Sequence, residues 1–436
     1  MDHVRRPCQS VGRVDPKTMR IAIIGGGASG LAAAWLLDAA HDVHVFEQSA
    51  TLGGHVRTVG GNVPCETLPL GTRLDAGVIE FDRVHFPAFH AWMRALGVAI
   101  TPLRGAGSST LFLADGRHLH APTALAAEHP RLMERLSEAT HLIPSLLRLR
   151  RFRRETAGID AFGAGTAERF LSDDDFSVWV RCLLMYAYSM HYDEVRSISG
   201  ALAIPMLRAF IHSNEWTHIH GGVSTYVDAV ARQLRARIHV HTRVAAIHRT
   251  DGGVRIALTD TSNTCFDAVI LAVPPHRVLP LLTDADEAER SWFSAHTGGT
   301  VQTVLHTDNG MYTRRGIHAP SEFDLFALPG GGHGYNAYLN RLAGLPDPGT
   351  VSYHLGFDLD AEIDPAAVIH RQDHDVAAYT DLAMRSRSDI VAHNGRRNTW
   401  HVGAWLGDGL HEGAVRSALA VSERLGGRPL PGFTPE

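Results

Sequence analysis

The chain has 436 residues, of which 44% are hydrophobic and 20% are charged, and its formal net charge is −5. This composition predicts a soluble globular protein that is large enough for two packed cores. The negative charge argues against a nucleic-acid partner, because such proteins need a basic surface to displace counterions. No stretch approaches the ~20 apolar residues that a membrane span requires. Four scattered cysteines are too few for a disulfide framework, so we expect a cytoplasmic location.

The first predicted element is a short apolar strand over residues 21–24, which suits a parallel strand that is buried on both faces. Three glycines in GxGxxG spacing follow, Gly25, Gly27 and Gly30, and a helix is predicted from 28 to about 39. In this motif the first glycine allows a tight turn and the second lets the backbone approach a pyrophosphate. The third lets the helix pack on the strand, and the helix N-terminus offers free N–H groups to a phosphate.

A second strand over 43–46 ends at Glu47, 17 residues after Gly30. An acid at this point is placed to accept hydrogen bonds from ribose hydroxyls. A glycine cluster alone would only mark a turn. The order found here predicts a dinucleotide-binding Rossmann unit, because the glycines stand between a strand and a helix and are followed by a second strand that ends at an acid. The chain has one convincing fingerprint of this kind, so NAD(P)H is not expected as a second nucleotide.

Further glycine motifs favour FAD over NAD. A glycine pair at 53–54 follows the ribose strand, another turn lies at 75–77, and a GG-turn-plus-helix begins at 221. With the terminal segment 409–415, this arrangement resembles the flavin amine oxidase superfamily, which includes monoamine oxidases, protoporphyrinogen oxidases and phytoene desaturases. Within it, the chain is most similar to a bacterial subgroup of FAD-binding oxidoreductases that are often encoded near cyclopropane-fatty-acyl-phospholipid synthases. The segments that carry this similarity are "GGHVRTV", "VQTVLHTD", "YNAYLNRL" and "NTWHVGAWLGDGLHEG".

The resemblance implies an α/β fold in which a discontinuous Rossmann-type FAD-binding domain holds an inserted α+β substrate domain. We expect residues 1–18 to be a disordered leader. The FAD-binding domain is predicted at 19–85, 215–275 and 395–436, and the substrate domain at 86–214 and 276–394. In the family the backbone at Val244 contacts the adenine, and the segment 409–415 lies against the flavin. The expected cofactor-binding residues are Gly25, Gly27, Ala28, Ser29, Gly30, Glu47, Gln48, Gly54, His55, Arg57, Gly77, Val78, Val244, Gly403, Gly409, Leu410 and His411.

The sequence departs from the family at the flavin. His55 stands where relatives have arginine, which leaves covalent attachment of the flavin open, and Ala404 stands where many have an acid. Amine-oxidising members use a lysine close to the flavin, whereas the single lysine here is Lys17, in the leader. We expect Gln302 or His306 in that neighbourhood. The aromatic residues expected at the pocket walls are Tyr335, Trp400, Trp405 and above all Tyr338. The predicted catalytic residues are Tyr338, Gln302 and His306.

These features predict an FAD-dependent oxidoreductase that transfers a hydride from a substrate C–H to flavin N5, as dehydrogenases and desaturases do. The expected substrate is hydrophobic, such as an acyl chain or a natural-product intermediate. The alternatives are a redox-neutral double-bond isomerase, an amine oxidase, and a non-catalytic flavin-binding partner of a lipid methyltransferase. The arginine cluster from Arg148 to Arg154 is either a solvated helix end or a contact for a membrane surface or an acyl carrier protein. No metal site is predicted, because the HxH pairs lack a third ligand.

Overall fold

The computed structural model describes residues 18–103, 109–121, 124–125, 131–158, 165–211, 213, 215–250, 252–317, 319–346 and 350–434. The predicted leader therefore lies outside the described residues, apart from Thr18. The strands are Arg20–Ile24, Asp42–Phe46, Thr58–Val59, Leu74–Asp75, Phe81–Asp82, Ile100–Pro102, Ser109–Phe112, His118–His120, Trp216–Ile219, Arg237–His239, Val244–Thr250, Gly253–Leu258, Asn263–Phe266, Ala268–Leu271, Gly298–His306, Phe323–Ala327, His333–Tyr338, His354–Phe357, Val368–Ala377 and Thr399–His401. The α-helices are Ala28–Leu37, Pro87–Leu96, Leu132–His141, Ile143–Thr156, Asp175–Tyr188, Gly200–Phe210, Ser224–Gln233, Val278–Leu281, Glu287–Phe293, Gly310–Thr313, Leu339–Leu342, Asp381–Arg385, Arg387–Ala392 and His411–Arg424. Within these ranges, no helix is both long enough and apolar enough to cross a bilayer.

A five-stranded parallel sheet forms the centre of the first domain, and all five strands come from the three segments predicted for FAD binding. Along the strand Arg20–Ile24, Ile21 and Ile23 pack against helices, whereas Ala22 and Ile24 pack toward a small antiparallel sheet over residues 244–266. Because both faces are covered, the strand is apolar along its length. The order across the sheet is Arg237–His239, Asp42–Phe46, Arg20–Ile24, Ala268–Leu271 and Thr399–His401.

The helix Pro87–Leu96 packs into the core of this first domain, although the predicted boundary at residue 86 placed it in the insertion. Its Phe89 and Trp92 lie in one cluster with the helices Ala28–Leu37 and His411–Arg424. The Glu412 carboxylate also accepts hydrogen bonds from the first N–H groups of the helix, at 3.0 and 3.1 Å. An amphipathic pattern predicts that a helix buries one face, but it does not say against which core.

A seven-stranded sheet forms the centre of the second domain. Two of its strands, Ser109–Phe112 and His118–His120, come from residues 86–214, the first segment of the predicted substrate domain. The first of them joins the sheet in parallel beside Phe323–Ala327, a long-range pairing that local sequence does not reveal. The order is Val368–Ala377, Gly298–His306, His354–Phe357, His333–Tyr338, Phe323–Ala327, Ser109–Phe112 and His118–His120.

The two faces of this sheet have different neighbours. One face carries Thr303, Phe357 and Tyr335 in one row across three strands, and we call it the cofactor face because Thr303 contacts the FAD-binding domain. The opposite face, here the far face, packs on a separate small core that includes Tyr312 and Phe326. Because side chains alternate along a strand, neighbouring residues on one strand point into different environments.

Candidate active site

The glycines of the first motif differ in what surrounds them. A Cβ on Gly25, where φ is +109°, would lie 2.4 Å from the carbonyl oxygen of Ala272. A Cβ on Gly30 would lie 2.0 Å from the carbonyl oxygen of Gly25. A Cβ on Gly27, in contrast, would meet only the Cα of Gly54, at 3.7 Å. Gly25 and Gly30 are therefore required for packing within the protein, whereas Gly27 borders open space.

The helix Ala28–Leu37 begins beside that open space without a cap. Its first backbone bond runs from Leu31 N–H to the Gly27 carbonyl, and no side chain of the described residues caps the helix. The N–H groups of Ala28, Ser29 and Gly30 thus lack an acceptor within the described part of the chain. Free N–H groups and the positive end of the helix dipole form a binding site for an anion such as a pyrophosphate.

Arg57 adds a cation to this end of the cleft. Its guanidinium donates to the Thr51 hydroxyl at 2.9 Å and forms no ion pair with any described residue. Burial lowers the pKa of Arg57, and the charge of Glu47 opposes that effect. A half-buried arginine that lacks a carboxylate partner fits a site for a phosphate group.

The predicted ribose acid is buried and fixed by the backbone. The two carboxylate oxygens of Glu47 accept hydrogen bonds from the N–H groups of Gly26 and Ser49, each at 2.8 Å. Each oxygen keeps a lone pair for a hydroxyl group. Val244, the expected adenine contact, is buried at the start of the adjacent antiparallel strand, whereas Gln48 is exposed.

The middle of the cleft is lined by two further glycine turns and by histidines. A Cβ on Gly77 would lie 2.1 Å from the carbonyl oxygen of His55, so only glycine fits beside that loop. His55 donates from Nε2 to the carbonyl of Asp375 at 2.7 Å, and His374 donates from Nε2 to the carbonyl of Ala76 at 2.9 Å. Val78 follows Gly77 and is half-buried. No group of three or more His, Cys, Asp or Glu side chains in the described ranges is arranged to hold a metal ion.

Burial keeps these histidines uncharged. Burial chiefly, with a smaller effect of the nearby His55, lowers the pKa of His374 to about 4 and that of His411 to about 3. The pKa of His55 is lowered as well, chiefly by desolvation within the cleft, although its side chain is exposed. At neutral pH the cleft therefore presents imidazoles as neutral hydrogen-bonding groups, and its positive potential comes from helix N-termini and Arg57.

The glycine-rich elbow before the last helix is held by side chains from the second domain. The carbonyls of Gly407, Asp408 and Gly409 accept hydrogen bonds at 2.6, 3.2 and 3.5 Å. A Cβ on Gly409, where φ is +80°, would lie 2.7 Å from the Tyr188 ring, and one on Gly403 would lie 2.4 Å from Trp405 Nε1. Gly409 thus brings the elbow close to the second domain, whereas Gly403 leaves room for the Trp405 side chain. The three donors are Arg387, Tyr188 and Tyr379.

The start of the helix His411–Arg424 carries an acid whose contact the sequence analysis missed. Asp408 Oδ1 accepts hydrogen bonds from the N–H groups of Leu410 and Gly413, both at 2.8 Å. The N–H groups of His411 and Glu412 have no acceptor in the described part of the chain. Burial raises the pKa of Asp408 to about 6, so it is mostly ionised at neutral pH and offsets the positive end of the helix dipole.

Replacement of Asp408 by asparagine should raise the midpoint potential of the bound flavin. The asparagine side chain would keep an acceptor for both N–H groups while it removes a negative charge that disfavours the electron-rich reduced form. We expect a rise of about 30 mV, which corresponds to about 1.4 kcal/mol for a two-electron couple. Spectroelectrochemical titration measures it, with the exposed Asp228→Asn as control. The difference from wild type should disappear below pH 6, where Asp408 is protonated, and equal potentials above pH 6 would contradict the assignment.

The three predicted catalytic side chains lie on the far face of the seven-stranded sheet. The Gln302 amide donates to Asp373 at 2.8 Å at an exposed edge. His306 is hydrogen-bonded to Asn336 at 2.9 Å, and the Tyr338 ring lies 5.3 Å from that of His354. This placement argues against direct roles for all three in catalysis, because the sheet separates them from the FAD-binding domain. Trp400 and Trp405 pack in cores, against Arg424 and His296 respectively.

The cofactor face carries a different set of side chains. Thr303 Oγ1 donates to the carbonyl of Ala76 at 2.6 Å. The Phe357 ring beside it stacks on Tyr335 with centroids 5.2 Å apart, and Tyr186 meets Tyr335 edge-on at 5.4 Å. In the segment 76–80 of the FAD-binding domain, Ala76 and Ile79 pack in one apolar cluster with Leu305, Ala337 and Leu355 of this face.

At the other end of that segment lies a carboxyl–phenol pair. The Tyr186 hydroxyl donates to Glu80 Oε1 at 3.3 Å. Burial chiefly, together with the negative charges of the buried Glu322 and of Asp82, raises the pKa of Glu80 to about 8, and the hydrogen bond from Tyr186 opposes this rise. A carboxyl group that titrates near neutral pH between two domains is a candidate for proton transfer. No sequence motif marks Glu80, so it is not among the predicted site residues.

The fold and the cleft together define a dinucleotide-binding oxidoreductase. The model of the flavin containing amine oxidoreductase family matches residues 28–405. The chain therefore belongs to this family, and it is an FAD-dependent oxidoreductase, which confirms the family, the fold class and the cofactor predicted from the sequence. The uncapped helix, the buried Glu47 carboxylate and the unpaired Arg57 all fit FAD.

Solved structures with the same fold act on different substrates. A wild-type putrescine oxidase bound to putrescine is 17% identical, with 93% of this chain and 98% of that chain covered and a TM-score of 0.66. The CLA-producing fatty acid isomerase from P. acnes is 18% identical, with 94% and 99% covered and a TM-score of 0.65. Cyclohexylamine oxidase from Brevibacterium oxydans IH-35A is 17% identical, with 94% and 99% covered and a TM-score of 0.66. At these identities the likeness shows the fold alone.

Proposed function

We propose that this oxidoreductase desaturates a hydrophobic substrate, such as an acyl chain or a natural-product intermediate. The substrate would lose a hydride to FAD and a proton to the Glu80 carboxylate, and a C=C bond would form between the two carbons. FAD, when bound, supplies the hydride acceptor. The observation that carries the proposal is the apolar cofactor face, which ends at the Glu80–Tyr186 pair.

In this reaction the side chains of the chain have separate tasks. The stacked Tyr335 and Phe357 rings are buried, and as an apolar wall they would exclude water from a hydrocarbon bound against them. Glu80 accepts the proton, and Tyr186 positions its carboxylate through the 3.3 Å hydrogen bond. A pKa of about 8 for Glu80 is suited to a base, since catalytic pKa values work best near the operating pH.

Two observations favour a hydrocarbon over an amine. The described domains contain no lysine, and Thr303 is the polar side chain that the strand Gly298–His306 presents to the FAD-binding domain. At neutral pH Glu80 is mostly protonated, so it offers little charge to attract an ammonium group. Putrescine oxidase and cyclohexylamine oxidase are named for amines, whereas the isomerase of the same fold is named for a fatty acid.

A redox-neutral isomerase is the second candidate, because the hydride could return to another carbon of the substrate while Glu80 gives its proton back. Anaerobic mixing of the FAD-loaded protein with fatty acids and with primary amines separates the candidates. We expect acyl chains to bleach the flavin, amines to leave it oxidised, and the product to be two hydrogens lighter. Turnover without an added acceptor and without a change in mass would instead establish the isomerase. Bleaching by amines alone would overturn both.

A further inference from the structure

The helices Leu132–His141 and Ile143–Thr156 expose an unusual number of apolar side chains. Of the twelve large hydrophobic residues that are exposed in the described ranges, six lie on this helix pair, so the exposure is concentrated on one surface. Their exposed fractions range from 51% to 75%. An apolar patch of this kind usually marks an interaction surface. The six residues are Leu132, Met133, Leu136, Ile143, Leu146 and Leu147.

The second helix continues this surface with positive charge. Six residues of this helix lie on one helical face, because they stand at positions i, i+3, i+4, i+7, i+10 and i+11 from Ile143. The first three are apolar and the last three are arginines. Among the described side chains these three arginines have no carboxylate partner, whereas Arg151 pairs with Glu155. The helix holds five arginines and one glutamate, a net charge of +4 in a chain whose total is −5. The three unpaired arginines are Arg150, Arg153 and Arg154.

The opposite side of this helix is fixed to the protein. Phe152 and Thr156 are buried, and Arg148 donates to Asp174 at 3.1 Å and to the carbonyl of Phe170 at 2.7 Å. The outer face is therefore presented by a packed helix. Leu146 and Arg153 are seven residues apart, which corresponds to about 10 Å along the helix. If the helix is tilted with its Ile143 end toward the bilayer, this separation would place the apolar part below the headgroups and the arginines among them.

We propose that this helix pair docks the protein on an anionic lipid bilayer. The apolar half would enter the headgroup–acyl boundary, and the three arginines would meet phosphate groups. A second copy of the chain fits less well, because the same helical face on that copy holds no carboxylate that could pair with the three arginines. The inference does not depend on the proposed reaction, because it rests on residues outside the FAD cleft.

Co-sedimentation of the FAD-loaded protein with vesicles tests the proposal. We expect binding to phosphatidylcholine vesicles that contain phosphatidylglycerol, weak binding to pure phosphatidylcholine, and release by salt. The triple variant Arg150→Gln/Arg153→Gln/Arg154→Gln should weaken binding by roughly 100-fold, at about fivefold per arginine. The double variant Leu146→Ser/Leu147→Ser should weaken it by at least about 10-fold.

Matched control substitutions are available on one distant helix. Leu382 is 64% exposed, and the side chain of Arg385 is 73% exposed, so Leu382→Ser and Arg385→Gln remove the same groups elsewhere on the surface. Both should bind vesicles like the wild type. Wild-type protein that stays in the supernatant with phosphatidylglycerol vesicles would overturn the proposal. So would a wild-type dimer that the double variant converts to a monomer, or loss of binding in the control variants equal to that in the patch variants.

Discussion

Replacement of Gly27 by valine is expected to abolish FAD binding while the protein stays folded, whereas the same replacement at Gly30 should prevent folding. At Gly30 the new Cβ would lie 2.0 Å from a backbone oxygen that cannot move without disrupting the first βα turn. We expect a loss of more than about 3 kcal/mol in the free energy of unfolding. At Gly27 the backbone has φ −79° and ψ −175°, which valine adopts easily, and the Cβ points to open space.

The valine at position 27 would occupy space that the pyrophosphate needs. The loss of two charge-assisted hydrogen bonds, at about 1.5 kcal/mol each, corresponds to a decrease in FAD affinity of at least about 100-fold. Thermal unfolding of the FAD-free variants and titration with FAD measure the two effects separately. Gly330→Val is the control, because a Cβ there meets nothing within 4 Å. If Gly27→Val binds FAD normally, the cofactor does not approach the backbone at this position.

Replacement of Glu80 by glutamine is expected to slow substrate-dependent flavin reduction by about 10²- to 10⁴-fold and to leave FAD binding unchanged. The amide has the shape of the carboxyl group but cannot accept the proton. In the wild type, the rate should rise with pH as Glu80 deprotonates near pH 8. Burial is the main cause of this raised pKa, and the neighbouring groups that modify it are Glu322, Tyr186 and Asp82. Stopped-flow measurement of flavin reduction under anaerobic conditions, repeated across the pH range, gives both the rate and the pH at which it is half-maximal.

Tyr186→Phe provides a second, directional test. Because the Tyr186 hydroxyl stabilises the ionised form of Glu80, its removal should shift the rising part of the pH profile to higher pH. A variant with a purely structural defect would lower the rate at every pH without such a shift. The exposed Glu66→Gln should behave like the wild type. If Glu80→Gln reduces the flavin at the wild-type rate, the substrate proton is accepted by another group or by solvent.

The cofactor half of the cleft could be predicted from the sequence because its signals are local. Gly25, Gly27, Gly30 and Glu47 occur within one βαβ unit, and their spacing alone carries the geometry. The same holds for the glycine turns beside Gly54 and Gly77. The exception is Asp408, whose carboxylate faces the start of the last helix. Its side-chain direction depends on how the glycines around it turn the backbone, and the sequence does not specify that turn.

The catalytic half could not be predicted, because it depends on which face of a strand meets the other domain. Gln302 and Thr303 are adjacent in sequence, but they lie on opposite faces, and a shift of one residue in register exchanges them. Tyr338 and Tyr335 likewise lie on opposite faces of the sheet. Glu80 shows no motif of its own. Its chemistry comes from Tyr186, which is 106 residues away in the chain.

The parallel sheet also constrains when the protein can acquire its cofactor. Ile21 pairs with Ala268, and Val269 pairs with Thr399, so the sheet closes only after residues far apart in the chain have met. The last helix supplies donors at the elbow and anchors the helix Pro87–Leu96 through Glu412. During synthesis, the N-terminal βαβ unit therefore emerges from the ribosome long before its partners. The nascent chain can present a complete flavin cradle only once translation has passed residue 411, and a high contact order makes this final closure slow.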